Sequence, residues 1–351
     1  MKAATWGAVL PVQVWLGFDA ASDQTPSAGS GAHERWSEDL EALKEAGVTA
    51  VRIGVDWSRL VPSAGRVHGG WVEWYRTVGT TARQHGLDVW WCLQERAVPS
   101  WFADEGGFGD RRVTSRWWPR WVEVAADELG DLAAGWVPLD DPSGLARRAG
   151  GDDPARTSEA LGAIVHGWRD AWRILRGPAA VATSLRVGVV RPTDHTVPAQ
   201  QAARERDHLM WRLWLQAWRH GVLALPGRGG DHVDDLEGSL DVLGLWVHGG
   251  DAPTPTAAED LIMTVLERAG EQGPERPIDL TLRPGHPDPE RSGEIAAAAH
   301  RAIDGAADHG VVVSRRWLAP GIAAPGAPDG LLDAERRPSP VAEALGQDRP
   351  R

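Results

Sequence analysis

Apolar residues at helical spacing, followed by an almost continuous apolar run, dominate the stretch from Glu38 to Pro62. In residues 38–46, leucine and alanine recur every three or four positions with glutamates between them, which is the period of an amphipathic helix. Gly47 stands where a glycine ends many helices. The run VTAVRIGV that follows predicts a parallel strand covered on both faces.

Arg52 is the one charged residue inside that predicted strand. A guanidinium group in an apolar strand is unfavourable unless it is paired or opens onto a polar cavity. The strand ends in the polar and aromatic residues DWSR at 56–59, as expected of a site at the carboxyl end of a parallel strand. Arg52 is therefore expected either to line a site or to form a buried ion pair with Glu95 or Asp141.

The same alternation of apolar run and amphipathic segment repeats along the chain. Strands are predicted at 6–18, 48–55, 87–95, 136–139, 184–190, 239–247, 277–282 and 311–318. Helices are predicted at 38–46, 71–85, 115–130, 158–176, 199–221, 257–269 and 292–309, with a short one at 340–346. Such alternation predicts parallel strands joined by crossover helices. We therefore predict an α/β protein with a (β/α)8 TIM barrel. An open doubly wound sheet competes, but no G-x-G-x-x-G turn follows a predicted strand.

We expect a single barrel domain over residues 1–351. Residues 19–36 are rich in serine, glycine and alanine and are predicted to form a loop. Residues 143–157 are rich in glycine, arginine and aspartate and are predicted to form a mobile loop rather than a linker, because strands continue on both sides in the same rhythm. The chain after residue 320 is expected to be irregular.

Composition narrows the possible partners. The formal net charge of −12 argues against nucleic acid and against anionic membranes. No apolar run reaches transmembrane length, and the early apolar run lacks a signal-peptide cleavage site, so we expect a cytoplasmic protein. The 12 histidines show no metal-binding spacing, and we expect neither a metal nor a cofactor. The 20 tryptophans are expected mainly in the core, with a few available to stack on sugar rings.

Several segments, taken in order, resemble one enzyme family. Residues 38–62 are similar, nearly position by position, to the EDIxLMKELGVxxYRFSIAWSRIxP segment of glycoside hydrolase family 1, the β-glucosidase type. Weaker similarity is found at Trp6-Gly7-Ala8 with Gln13, at residues 98–108, at 121–142, at 186–248 and at 336–338. The resemblance implies a (β/α)8 barrel and a small-molecule saccharide or glycoside as the partner.

The resemblance also implies a catalytic pair, and this chain departs from it. Retaining enzymes of this kind use two carboxylates about 5–5.5 Å apart. Asp141 stands at the acid/base position, where the family has a longer glutamate, and a shift of about 1 Å can cost about 100-fold in rate. Leu282 stands at the nucleophile position. Asp279, three residues earlier, is predicted to point to the opposite face of its strand.

Other positions of the implied sugar site are partly kept. Glu95-Arg96 replace the family's His-Trp after strand three. The residues that the resemblance places at the substrate are Gln13, Arg52, Asp140, Trp246 and His248. Two of these assignments have structural alternatives, because Asp140-Asp141-Pro142 could form a helix-capping turn and Trp246 could fill the barrel core.

Three functions are consistent with these residues. The first is a degenerate, noncatalytic or weakly active barrel that binds a carbohydrate or glycoside. The second is an active O-glycoside hydrolase in which Glu95 and Asp141 form a re-sited pair, since like charges at one rim would raise one pKa. Neighbouring strand ends, however, place both groups on one side of the cavity. The third is an interaction or scaffold protein whose barrel mouth is closed by side chains.

Overall fold

A ring of parallel strands forms the centre of the protein. The structure, a computed structural model, describes residues 5–252, 254–327 and 330–346. The outermost parts of the predicted domain, residues 1–4 and 347–351, lie outside the described residues. The strands are β1 (Thr5–Leu10), β2 (Ala50–Gly54), β3 (Asp88–Cys92), β4 (Gly135–Val137), β5 (Ala180–Val181), β6 (Leu185–Arg186), β7 (Val222–Ala224), β8 (Gly230–His232), β9 (Leu243–His248), β10 (Ile278–Arg283) and β11 (Val313–Leu318).

The sheet closes on itself through its fifth strand. Its strand order is β5-β4-β3-β2-β1-β11-β10-β9-β6. β5 and β6 are two parts of one short stretch, residues 180–186, with a parallel bridge from Ala182 to Val242 between them. Because this stretch pairs with β4 on one side and with β9 on the other, the nine segments make eight strands of a closed barrel. The predicted α/β (β/α)8 fold is confirmed.

Helices surround the barrel. They are α1 (Ala32–Glu45), α2 (Trp57–Leu60), α3 (Gly69–Gln84), α4 (Ser100–Asp104), α5 (Arg111–Leu129), α6 (Pro142–Gly150), α7 (Pro154–Leu175), α8 (Val197–Asp207), α9 (Leu213–His220), α10 (Pro255–Gln272), α11 (Pro289–Ala306) and α12 (Pro340–Gly346). Aspartate or threonine side chains cap the first turn of several of them, which satisfies amide groups that have no partner inside the helix.

Side chains of the strands alternate between two apolar layers. Ile53, Leu280 and Leu282 belong to the layer between the sheet and the helices. Trp90 and Trp317 belong to a smaller cluster inside the barrel, where their ring centroids lie 5.8 Å apart although β3 and β11 are not neighbours. The barrel is therefore filled by side chains, and any ligand space lies at its mouth.

Two predicted loops are partly wrong. The segment 143–157 is not a mobile loop, because it contains most of α6 and the start of α7. Both helices begin with an aspartate cap followed by proline, Asp141-Pro142 and Asp153-Pro154, which is a strong start signal. The last part of the loop predicted at 19–36 is also helical, since α1 begins at Ala32.

The strands near the site are shorter than predicted. The first strand ends at Leu10, where Pro11 has no amide hydrogen to continue the ladder, and residues Val12–Leu16 form a single π-helical turn. The fifth strand was expected at 184–190, but only Leu185–Arg186 of that run pairs in the sheet. The antiparallel hairpin of β7 and β8 was not predicted.

A sealed ion pair attaches the C-terminal segment to the barrel. Arg336 Nε lies 2.6 Å from Asp39 Oδ1, and Trp15 Nε1 donates to Asp39 Oδ2 at 2.6 Å. Arg336 Nη2 also donates to the Ser30 carbonyl at 3.0 Å. Both charged side chains are almost completely buried, with exposed fractions of 3% and 0%. Each oxygen of Asp39 thus has a protein partner.

Candidate active site

A cavity of about 250 Å³ opens at the barrel mouth, at the carboxyl ends of the strands. The elements that surround it include β2, β6, β9 and β10, the turn after β1, the segments after β3 and β4, and helix α6. The side chains that line it are Val9, Pro11, Gln13, Val14, Arg52, Glu95, Arg96, Asp140, Asp141, Arg148, Arg186, Trp246, Arg283, Ala319 and Pro320.

Arg52 forms part of the cavity floor and is 4% exposed. Its Nη2 lies 3.5 Å from Asp140 Oδ1, and its Nη1 donates to Ser184 Oγ at 3.4 Å and to Thr281 Oγ1 at 3.3 Å. Its Nε is buried and has no hydrogen-bond partner among the described residues. The partner of Arg52 is thus Asp140, and not Glu95 or Asp141 as the ion-pair alternative supposed.

Asp140 is shared between Arg52 and a hydroxyl group. The Ser184 hydroxyl donates to Asp140 Oδ1, the same oxygen that faces Arg52. The Asp140 side chain is 28% exposed, so one edge of its carboxylate remains open toward the cavity. This contrasts with the complete burial of Asp39.

Glu95 lies beside the turn that follows β1. The backbone amide of Val12 donates to Glu95 Oε2 at 2.8 Å. Gly54 leaves room for this carboxyl group, since a Cβ atom at residue 54 would lie 2.5 Å from Glu95 Oε1. Burial, and then the negative charge of Asp140, raise the pKa of Glu95 to about 8. Glu95 therefore carries a proton at neutral pH and can donate it.

Asp141 caps helix α6. Its backbone has a left-handed φ of 44°, and its Oδ1 accepts a hydrogen bond from the Gly144 amide at 3.0 Å. Burial raises the pKa of Asp141, although the Gly144 amide opposes that shift. The structure thus places Asp141 both at the cavity and in the capping turn that the alternative described.

On β10, the cavity receives Arg283 and not Leu282. Leu282 is 3% exposed and packs in the layer between the sheet and the helices. Asp279 is on the opposite face, where it accepts hydrogen bonds from Ser314 Oγ at 2.7 Å and from Trp317 Nε1 at 3.1 Å. No carboxyl group reaches the cavity from β10.

The remaining sequence-predicted residues lie at or beside the cavity. Gln13 is exposed in the π-helical turn and accepts from Arg96 Nη1 at 3.4 Å. Trp246 lines the cavity and is half-buried, so it does not fill the barrel core. His248 lies next to it on the same strand face, with ring centroids 6.1 Å apart.

Two lining arginines, Arg148 and Arg186, were not singled out from the sequence. Arg148 lies in the segment that the composition predicts to be a loop. The Asp141-Pro142 helix-start signal predicts a helix there instead, and that helix, α6, places Arg148 at the mouth. Arg186 lies in the short β6, where its guanidinium covers the Trp246 ring at 5.0 Å. Both add positive charge to the mouth.

The described ranges contain neither a cluster of metal-binding side chains nor a membrane-spanning helix. No group of three or more histidine, cysteine, aspartate or glutamate side chains there is arranged to hold a metal ion. No helix in the described part of the chain has the length and apolar character needed to cross a membrane.

Comparison with known proteins gives one matching family model and several curated relatives. The family model of glycosyl hydrolase family 1 matches residues 18–222. β-Glucosidase A of Thermotoga maritima is 26% identical over 137 residues, which is 37% of this chain and 30% of that protein. The galactolipid galactosyltransferase SFR2 of Arabidopsis thaliana is 30% identical over 116 residues, which is 30% of this chain and 18% of that protein. These sequence matches thus span less than a third of each curated relative.

Solved structures match over nearly the whole chain. The family 1 β-glucosidase of Thermotoga maritima superposes with a TM-score of 0.82 at 14% identity, covering 100% of this chain and 99% of that one. The β-glycosidase of Pyrococcus horikoshii gives a TM-score of 0.85 at 15% identity, covering 99% and 94%. These likenesses show the barrel fold, and the family model shows the lineage: the chain belongs to glycosyl hydrolase family 1.

Proposed function

We propose that the barrel mouth binds a saccharide or glycoside and that the protein does not hydrolyse it by the two-carboxylate retaining route. The observation that carries this proposal is the orientation of the end of β10. Leu282 packs toward the helices, and Arg283 takes the place at the cavity. A retaining enzyme needs a carboxylate nucleophile across the cavity from its acid.

The positions of the carboxyl groups support the same conclusion. Glu95 follows β3, and Asp140 and Asp141 follow β4, so all three approach from two adjacent strands. Asp140 is held by Arg52 and Ser184, and Asp141 caps α6. Carboxyl groups on one side of a sugar cannot flank its scissile bond.

Binding is supported by the composition of the mouth. It combines an aromatic face, Trp246, with a hydrogen-bonding floor at Arg52 and Asp140, as in many small-molecule sites. A solved structure of the Thermotoga maritima β-glucosidase is in complex with glucoimidazole, and another is in complex with deoxynojirimycin. The open cavity argues against a scaffold with a closed mouth.

Tryptophan fluorescence tests the proposal. We expect saturable quenching or enhancement with a monosaccharide or aryl glycoside at up to millimolar concentration, and loss of that signal in Trp246→Leu. The matched control is Trp117→Leu on α5, whose ring packs between Arg116 and Arg120 and does not line the cavity. If no sugar in a broad panel gives a saturable change by fluorescence or calorimetry, the binding proposal is wrong.

A second candidate function is slow glycoside hydrolysis with Glu95 as the proton donor. It is favoured by the pKa of Glu95, which is raised to about 8, because a general acid must keep its proton at the working pH. In that case release of the free sugar from an alkyl β-glycoside, whose leaving oxygen must be protonated, would fall above about pH 8 and would be lost in Glu95→Gln. A rate that is independent of Glu95 would exclude this alternative.

A further inference from the structure

The mouth contains more positive than negative groups. Five arginines line it, namely Arg52, Arg96, Arg148, Arg186 and Arg283, against the three carboxyl groups of Glu95, Asp140 and Asp141. One of the three, Glu95, retains its proton up to about pH 8. This local excess lies in a chain whose formal net charge is −12.

Three of these arginines have neutral partners. Arg96 Nη1 donates to the Gln13 side-chain oxygen at 3.4 Å, and Arg148 Nη2 donates to the Glu95 carbonyl at 3.1 Å. Arg186 rests on the face of Trp246. Among the described residues, none of the three is within 4.0 Å of a carboxylate oxygen. Arginines away from the mouth commonly end on carboxylates, as in the pairs Arg76–Asp131, Arg173–Asp235 and Arg268–Asp207.

The nearby aspartates are hydrogen-bonded or ion-paired to other groups. Asp140 is engaged by Arg52, and Asp141 by the amide at the start of α6. Burial is the largest cause that lowers the pKa of Arg148; the charge of Asp141 opposes that shift, and the smaller effect of the charge of Arg96 adds to it. The guanidinium groups of Arg96 and Arg148 therefore repel each other. An anion bound between them would relieve this repulsion and would accept several charge-assisted hydrogen bonds.

The space suits a compact ligand. A cavity of about 250 Å³ is below the roughly 300–1,000 Å³ that is usual for drug-sized molecules. Trp246 is half-buried beneath Arg186, so an apolar ring face and a cation adjoin each other at one wall. A sugar ring against the part of the indole that Arg186 leaves uncovered would place a charged substituent among the arginines.

We propose that the ligand of the mouth is an acidic sugar, a single pyranose ring that carries an oxyanion, with Arg96, Arg148 and Arg186 as the residues that receive the oxyanion. This inference rests on the proposed function, since it assumes that the mouth binds a sugar, and it names the class of that sugar. Arg52 supplies the floor on which the ring lies.

The test is isothermal titration calorimetry of the full chain with four probes: glucose, glucuronate, glucose 6-phosphate and inorganic phosphate. We expect at least one of the two acidic sugars to bind about tenfold or more tighter than glucose, the scale of a charge-assisted hydrogen bond. Which of the two binds tighter distinguishes a carboxylate from a phosphate. Affinity for the acidic sugar should also fall as sodium chloride is raised, while glucose affinity should not change.

Variants separate the arginines of the mouth from charge in general. Arg148→Gln and Arg186→Gln should each weaken the acidic sugar about tenfold, and in each variant the loss for the acidic sugar should exceed the loss for glucose. Arg120→Gln removes the same charge from an exposed position on α5 and should change neither affinity. Thermal unfolding of each variant checks that it is folded. If a variant does not fold, the salt dependence of acidic-sugar affinity in the unmodified chain still tests the inference.

The outcomes distinguish this inference from the proposed function. Equal affinity for glucose and for both acidic sugars overturns the inference and leaves sugar binding intact. Inorganic phosphate that binds as tightly as the tighter of the two acidic sugars also overturns it, because the ring would then contribute nothing. If none of these three sugars binds, the inference is wrong, and the broad sugar panel then decides the proposed function.

Discussion

Two arginine–aspartate pairs in this barrel, each with a buried arginine, serve different purposes. In the sealed pair, Arg336 and Asp39 are 3% and 0% exposed and every oxygen of Asp39 is bonded to protein. At the mouth, Arg52 and Asp140 are 3.5 Å apart, 28% of Asp140 is exposed, and Arg52 Nε has no partner in the described structure. An ion pair whose carboxylate oxygens are all hydrogen-bonded to protein holds segments together. An ion pair beside a cavity with unused donors or acceptors leaves hydrogen-bonding capacity for a ligand.

The largest expected effect is the loss of the sealed pair. Arg336→Met would leave Asp39 buried without its counter-charge, and we expect the free energy of unfolding to fall by about 3–5 kcal/mol. The matched change Arg52→Met leaves Asp140 partly solvated and hydrogen-bonded to Ser184, and should cost only about 1 kcal/mol. Urea unfolding at neutral pH measures both. Equal losses would show that the two pairs do not differ in this way.

The next effect concerns the two faces of β10. Leu282→Glu puts a carboxyl group into the apolar layer between the sheet and the helices. It should destabilise the protein by at least about 3 kcal/mol without producing hydrolysis. Arg283→Glu changes the side chain that already lines the cavity and should cost less than Leu282→Glu, because its carboxyl group would lie at the cavity and not in the apolar layer. Thermal unfolding and an aryl glycoside assay measure the outcome. Hydrolysis gained in Leu282→Glu would show that residue 282 can face the cavity.

A smaller effect separates the two aspartate caps. Asp141→Ala and Asp153→Ala each remove an oxygen that accepts backbone amides at a helix start, and each should cost about 1 kcal/mol. Asp141→Ala alone should weaken ligand binding, because α6 carries Arg148 to the mouth. Chemical unfolding combined with sugar titration makes the comparison. Binding that is unchanged in Asp141→Ala would show that the cap does not position the site.

The last expected effect is a pH dependence. The folded pKa of Glu95 is about 8, above its ordinary value, so the folded state binds more protons than the unfolded state between those two pKa values. The stability that Glu95 contributes is therefore fully present below its unfolded pKa and is lost as pH rises through about 8. Glu95→Gln should flatten this decline. Unfolding midpoints of the unmodified protein and of Glu95→Gln, measured from pH 5 to pH 9, test this. An equal decline of stability in both would contradict the account.

The fold was predictable because each strand and helix carries its own period. Residues 38–62 alone predicted a helix, a glycine stop and a buried strand, and the structure contains α1 and β2 there. The loop predicted at 143–157 was wrong, because its Gly/Arg/Asp-rich composition predicts a loop, whereas the aspartate cap followed by proline at the start of α6 and of α7 predicts a helix. The short pairing of Leu185–Arg186 was not predictable, because strand length depends on what lies beside it in the sheet.

The site was predictable only in part. Gln13, Arg52, Glu95, Asp140, Asp141 and Trp246 all line one cavity, and all of them except Gln13 stand at or near the carboxyl end of a predicted strand. The ion-pair partner of Arg52 could not be predicted. Its contact with Asp140 depends on side-chain lengths and directions, which the spacing of residues in the sequence does not specify. Arg148 was missed because its helix was taken for a loop.

The most direct test of the central claim measures binding and hydrolysis of one compound. A nitrophenyl β-glycoside, chosen from those that bind, is titrated calorimetrically and then incubated with the protein while nitrophenol is followed by absorbance. The account predicts saturable binding with no nitrophenol release above the spontaneous rate. Steady release that is abolished by Asp141→Ala or Glu95→Gln would contradict it and would establish a catalytic pair at the mouth.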